Sequence, residues 1–166
     1  MKTLLSALII IFLAHFSMPL ASFGQKPEHD AKEKIIAFLK AVYDSDATAT
    51  EVASKFISLA SVTSSLTTKE RYEIAAKHIQ LLREGKSMSA MEPVKPRVHN
   101  INVIPYSQIT KEQAMVFEFD AEQLQYIYAA TNNSEVIQYF VYKKGKIQSF
   151  DYLVKGKNGP RYFIVY

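Results

Sequence analysis

The chain has 166 residues, with 20 lysines and arginines against 16 acidic residues and no cysteine. The absence of cysteine excludes disulfides, thiolate metal sites and cysteine nucleophiles. A formal net charge of +4 is too mild to make nucleic acid the expected partner.

Lys2 is followed by an apolar run from Leu4 to Phe16, and Pro19 breaks it. One positive charge ahead of a short apolar stretch is the pattern of a secretory leader. The run is shorter than the roughly 20 residues a membrane helix needs. Ser22 and Gly24 supply small residues around Phe23, so residues 1–24 are expected to be a cleaved signal peptide. Cleavage after Ala21 or Ser22, or a retained N-terminal anchor, are the alternatives. The remaining 142 residues carry 19 basic and 16 acidic side chains. They suffice for one domain that buries about 68–70% of its unfolded surface, without staples. Small eukaryotic secreted domains lean on disulfides. A cysteine-free exported chain is therefore expected in a bacterial periplasm or medium, with no stable membrane anchor after cleavage.

From residue 25 to 166 the expected organisation is a helical half (30–84), a connector (85–97) and a strand-rich half (98–166). Asp30 with Glu33 reads as a capping box opening helix 31–44, whose apolar positions are Ile35, Ile36, Leu39, Val42 and Tyr43. Thr48 with Glu51 opens a short second helix on Val52, Phe56, Ile57 and Leu59. Thr67 with Glu70 opens a third over 68–84, with Gly85 as its stop. Past the connector the hydrophobic period changes from 3.6 to 2. Val98–Tyr106 reads as a strand, edge-like because of Pro105. Met115, Phe117 and Phe119 alternate with Val116, Glu118 and Asp120 as a second strand. Residues 122–131 fit a helical turn or a strand. Ser134–Tyr142 and Ile147–Val154 flank a Lys-Lys-Gly-Lys turn as a hairpin, and Arg161–Tyr166 is a last strand. Helices first and an antiparallel meander after make the fold class α+β, with helices covering one face of a curved sheet.

Little catalytic chemistry is written into the motifs. His29, His78 and His99 are not in metal-ligand spacing, so no metal and no cofactor is expected. His78 reads as a residue at the edge of a helix's apolar stripe. No Gly-x-Ser-x-Gly elbow and no phosphate-cradling glycine loop is present. Glu118 and Asp120 share one side of their strand, where solvated carboxylates are the ordinary reading. Between Lys143 and Tyr166 stand six basic residues and one acid, Asp151, interleaved with aromatics. Such a surface could hold single-stranded nucleic acid or an anionic glycan. The lysines sit at turns, however, where charges are solvated and guard sheet edges.

The stretch Ile137-Gln138-Tyr139-Phe140-Val141-Tyr142-Lys143-Lys144-Gly145-Lys146-Ile147, behind three helices, resembles the nuclear-transport-factor-2-like superfamily, also called ketosteroid-isomerase-like or cystatin-like. The resemblance implies a cone-like sheet wrapped on a helix around a pocket, in a superfamily that includes isomerases, dehydratases and ligand binders. The chain departs from that plan in placing its third helix before every strand. No catalytic set of the family maps onto it, and it lacks the Gln-x-Val-x-Gly loop of cystatin inhibitors.

A two-residue turn at Lys144-Gly145 would set Ile137, Tyr139 and Val141 opposite Tyr152, Phe150 and Gln148 as an apolar face that packs on the helices or on a second layer. The other face would pair Gln138 with Asp151 and Phe140 with Ser149, with Tyr142 nearer the turn. Gln138, Phe140, Tyr142, Ser149 and Asp151 are therefore the candidate ligand-binding face. Asp151 is the candidate base, its pKa raised if that face is dry. The expected function is a non-catalytic ligand-binding or accessory module with a small-molecule or protein partner and no specific nucleic acid, leaving a homodimer open. The alternative is a small cofactor-independent isomerase or dehydratase using a pocket carboxylate. Expressed with its leader, the protein is expected to begin at Gln25 in periplasm or medium. Intact-mass measurement of a membrane-held chain that keeps residues 1–24 overturns this.

Overall fold

The computed structural model describes residues 25–44, 46–61, 65–86, 100–112, 114–133, 135–156 and 159–166. The expected leader and most of the connector lie outside them. Three helices come first: α1 (Gln25–Tyr43), α2 (Ala49–Phe56) and α3 (Thr68–Arg83). α1 starts earlier than its expected capping box, so Asp30 lies inside the helix. Pro27 is tolerated there because a first-turn residue has no intrahelical N–H bond to lose. The Asp30 carboxylate instead accepts the Tyr142 hydroxyl. Ala31, Ile35, Phe38, Leu39 and Val42 form the buried stripe of α1 at helical spacing.

The other two capping boxes form as expected. The Thr48 hydroxyl accepts the Glu51 N–H while the Glu51 carboxylate accepts the Thr48 N–H, and Thr67 and Glu70 repeat the arrangement. Gly85 ends α3 with φ +69°, a left-handed conformation that glycine adopts without strain. Its N–H donates to Leu82 O at 3.0 Å and the Lys86 N–H to Leu81 O at 2.8 Å, which satisfies two carbonyls of the last turn. The Arg83 guanidinium donates to the carbonyls of Ala41, Val42 and Ala47. One side chain of α3 thereby caps the C-terminus of α1 and holds the α1–α2 loop.

Four antiparallel strands make the main sheet in the order β1 (Ile101–Pro105), β2 (Ile127–Asn132), β3 (Glu135–Lys143), β4 (Lys146–Ser149). β1 is an edge strand that ends at Pro105, as its proline implied. The 122–131 ambiguity resolves into both readings in turn: a 3₁₀ segment at Ala121–Tyr126, then β2. β5 (Tyr152–Val154) and β6 (Arg161–Phe163) pair with each other in a second sheet. The expected hairpin arm Ile147–Val154 is thus broken at Phe150–Asp151, and the expected last strand stops at Phe163.

The sheet separates two apolar cores. Its inner face meets the helices through Val103, Tyr128, Phe140, Tyr142 and Ile147. Its outer face meets a second layer through Ile127, Ala129 and Tyr139, packed with Phe117 and Tyr152. Residues 115–119 belong to that layer but are not a ladder strand, contrary to expectation. Phe117 makes a single parallel bridge to Arg161. Their burial still alternates, because Phe117 stacks on Phe163 at 4.4 Å while Val116 and Glu118 face out. The period-2 pattern recorded which side chains are covered and carried no information about backbone partners.

Thr67→Ala removes the side-chain acceptor at the start of α3 and is expected to cost about 1 kcal/mol. Thr68→Ala, one residue on, is expected to change stability by less than about 0.5 kcal/mol. Urea unfolding of the two variants checks the difference, and equal effects would refute the cap's contribution.

Candidate functional site

The expected register holds at the hairpin tip and fails above it. Lys144 (φ 53°) and Gly145 (φ 76°) make the two-residue turn, with Lys143 opposite Lys146 and Tyr142 opposite Ile147. A bulge then shifts the pairing, so Val141 lies opposite Ser149 and Gln148 is the extra residue. Beyond Ser149 the two arms no longer pair. Gln138 therefore does not sit opposite Asp151, and its side-chain amide donates to the Phe150 carbonyl. One inserted residue exchanges the faces above it, which is why Phe150 joins the helix-side core with Phe140.

The five candidate residues accordingly do not line one open face. Phe140 is fully buried against Phe38, with ring centres 6.0 Å apart. Tyr142 is buried with its hydroxyl on Asp30, and burial first, then that carboxylate, raises its phenol pKa. The Ser149 hydroxyl donates to the Asp151 carbonyl at 3.0 Å. The opposite residues Tyr139 and Val141 do face a second layer, one of the two coverings expected for them.

Asp151 is 1% exposed, in the break between β4 and β5. A carboxyl so placed is costly unless its oxygens find donors. Oδ1 accepts the Tyr152 N–H at 2.8 Å. Oδ2 lies 3.7 Å from Nδ1 of His78, which shares a 2.8 Å hydrogen bond with the Tyr166 hydroxyl. His78 is 7% and Tyr166 3% exposed, so His78 is buried well inside the boundary position expected for it. Burial lowers the His78 pKa, the Asp151 carboxyl opposing; burial raises the Tyr166 phenol, and Asp151 adds to that. The main chain of Tyr166 is held as well. Its O atom accepts the Ala60 N–H at 2.7 Å and the Arg71 guanidinium at 2.5 Å. A carboxyl, an imidazole and a phenol thus meet in the interior, each less than a tenth exposed. The arrangement clamps α3, the β4–β5 break and Tyr166 together.

An open site lies on the other side of the sheet. A cleft of about 220 Å³ runs between β3–β4 and the second layer. Phe119, Tyr126, Tyr162 and Phe163 give it aromatic walls, and Glu118, Gln123, Lys143 and Gln148 give it polar groups. Of the five candidates, Ser149 alone borders it. The Glu118 carboxylate accepts the Tyr162 hydroxyl, and the Lys143 ammonium sits 4.5 Å from the centre of the Tyr126 ring. Asp120, its expected companion carboxylate, instead precedes the Ala121–Tyr126 turn. Of the turn lysines, Lys143 lies over the Tyr126 ring and exposed Lys146 donates to the Lys55 carbonyl at the end of α2, while Lys144 is exposed. No local pattern in the sequence marks the cleft as a whole, because its walls come from three separate segments, 118–127, 141–149 and 162–165. The one available signal was the alternation Phe117-Glu118-Phe119. Among the described residues no three His, Asp or Glu side chains are grouped to hold a metal ion, and no helix is long and apolar enough to cross a membrane.

Because the folded pKa of His78 is lowered, the unfolded chain takes up that proton first, as pH falls through about 6.5. Stability from neutral His78 is complete above that value and is lost as pH falls toward the lowered folded pKa. Urea midpoints from about pH 8 to about pH 5 should drop for the parent and less for His78→Gln. Parallel curves would remove His78 from the account. Comparison with protein-family models, with curated proteins and with solved structures gives no match to this chain.

Proposed function

We propose that this protein is an exported, non-catalytic binding module that holds a small organic ligand in the cleft between β3–β4 and the Phe117–Tyr126 segment. The observation that carries the reading is the cleft itself: aromatic walls, few polar groups and an opening to solvent, the usual make-up of a ligand site. At about 220 Å³ it is below the roughly 300 Å³ that drug-sized ligands fill, so the ligand is a small planar molecule. Export rests on the leader pattern of residues 1–24. The Lys144-Gly145 hairpin supports a nuclear-transport-factor-2-like architecture with a curved, cone-like sheet, while the placement of all three described helices before every described strand departs from that plan.

The isomerase or dehydratase reading keeps one observation in its favour. Glu118 is a carboxylate at the open cleft with a phenol on it, so a base there would be Glu118 and not the sealed Asp151.

A panel of planar fragments of about six to ten non-hydrogen atoms, titrated by methyl NMR, is expected to shift Ile127 and Val141 saturably. Gln148→Trp fills the cleft from a bulged, half-buried position. It should abolish those shifts while the variant still unfolds in one cooperative urea transition. Shifts that survive Gln148→Trp, or a panel that leaves both methyls unmoved, overturn the assignment. Turnover of a bound fragment that is lost in Glu118→Gln would favour the enzymatic reading.

A further inference from the structure

Three lysines from three elements line one small concavity at the hairpin end of the sheet, with none of its lining residues shared with the cleft above. Lys34 comes from α1, Lys55 from α2 and Lys146 from β4, around Phe56, Gly145 and Ile147. Its volume is about 60 Å³, roughly two waters' share of liquid, and so suits a single compact ion and not an organic molecule.

The acids that could neutralise these lysines are committed elsewhere. On α1, Glu28 pairs with Lys32, Glu33 with His29, and Asp30 accepts the Tyr142 hydroxyl. On α2, Glu51 is spent on its capping box. Among the described residues, none of Lys34, Lys55 and Lys146 makes an ion pair. Lys146 reaches the Lys55 carbonyl, and Lys55 lies over the Phe56 ring at 5.3 Å. These contacts hold two of the ammonium groups at the concavity. Like charges gathered without a counter-charge repel, and a multivalent anion between them would relieve that repulsion. A phosphate monoester carries about −1.5 to −2 charge at pH 7 and three acceptor oxygens, a match for three lysine donors. Ammonium groups bind it as point charges and require no fixed fork geometry.

We propose that Lys34, Lys55 and Lys146 form a site for one phosphate-type oxyanion, either free or carried as a phosphomonoester headgroup. In the purified protein at low ionic strength, inorganic phosphate should shift the amides of Lys55, Gly145 and Lys146 saturably. Separate arms offer vesicles of phosphatidylcholine alone and of phosphatidylcholine with phosphatidic acid. Saturation by phosphate without vesicle retention identifies a free oxyanion. Retention on the phosphatidic acid vesicles alone identifies a headgroup. Lys34→Glu places a carboxylate in the site from an exposed position and should abolish either signal. The double variant Lys34→Gln, Lys55→Gln should weaken it by about tenfold or more. Binding of neither probe, or binding that both variants retain unchanged, overturns the proposal.

Discussion

Both faces of the main sheet must be covered, and the rest of the structure follows from that. β2 is buried at five successive residues, Ile127 to Thr131, so its side chains enter both cores in turn. Three helices cover one face. No further helix is available among the described residues for the other, and the chain covers it with the extended 115–119 segment and the β5–β6 pair. The aromatic rings explain how so thin a layer suffices. Phe117 packs against Tyr139, Tyr152 and Phe163, and each such ring buries a large area with geometry that favours edge or offset contact.

The bulge between Val141 and Tyr142 makes this two-sided packing work. It lets β4 keep Ile147 on the helix side and still deliver Phe150 to that side three residues later, where Phe38 and Tyr166 receive it. The strand then breaks, and Asp151 satisfies its neighbours: its carbonyl accepts Ser149 Oγ and the Ile164 N–H, and its carboxylate accepts the Tyr152 N–H. A buried polar group at a strand break is tolerated because each donor or acceptor lost from the ladder is replaced locally. His78 and Tyr166 extend the same network into the helical layer. A polar cluster of this kind disfavours alternative packings, since any sliding of α3 would strand an imidazole and a phenol without partners.

Burial and openness divide the chemistry between the two faces. The groups that look catalytic in combination are closed off, whereas the open cleft carries an ordinary carboxylate, a lysine over a ring and two glutamines. The proposed binding role draws on this surface, where aromatic walls would supply contact area at little entropic cost and the polar groups would set orientation.

The α+β class, two of the three helix starts, the Gly85 stop, the edge character of β1 and the hairpin turn were all legible in the sequence. Each is decided within a few residues: Thr67 needs only Glu70 three positions on, and Lys144-Gly145 needs only its own dihedrals. α1 starts ahead of the Asp30 cap pattern because Asp30 has the side chain of a cap but a tertiary partner, Tyr142. Hairpin register, the absence of a ladder at 115–119 and the pairing of β5 with β6 depend on what lies across the sheet. No local pattern encodes a bulge, and one bulge reverses every inward and outward assignment beyond it. The sequence by itself determined which residues are apolar, where helices begin and where the chain turns. Only the tertiary structure decided that Asp151 is sealed beside His78 and that the open cleft lies on the opposite face, because burial is set by the elements that pack on a residue and not by its neighbours in the chain.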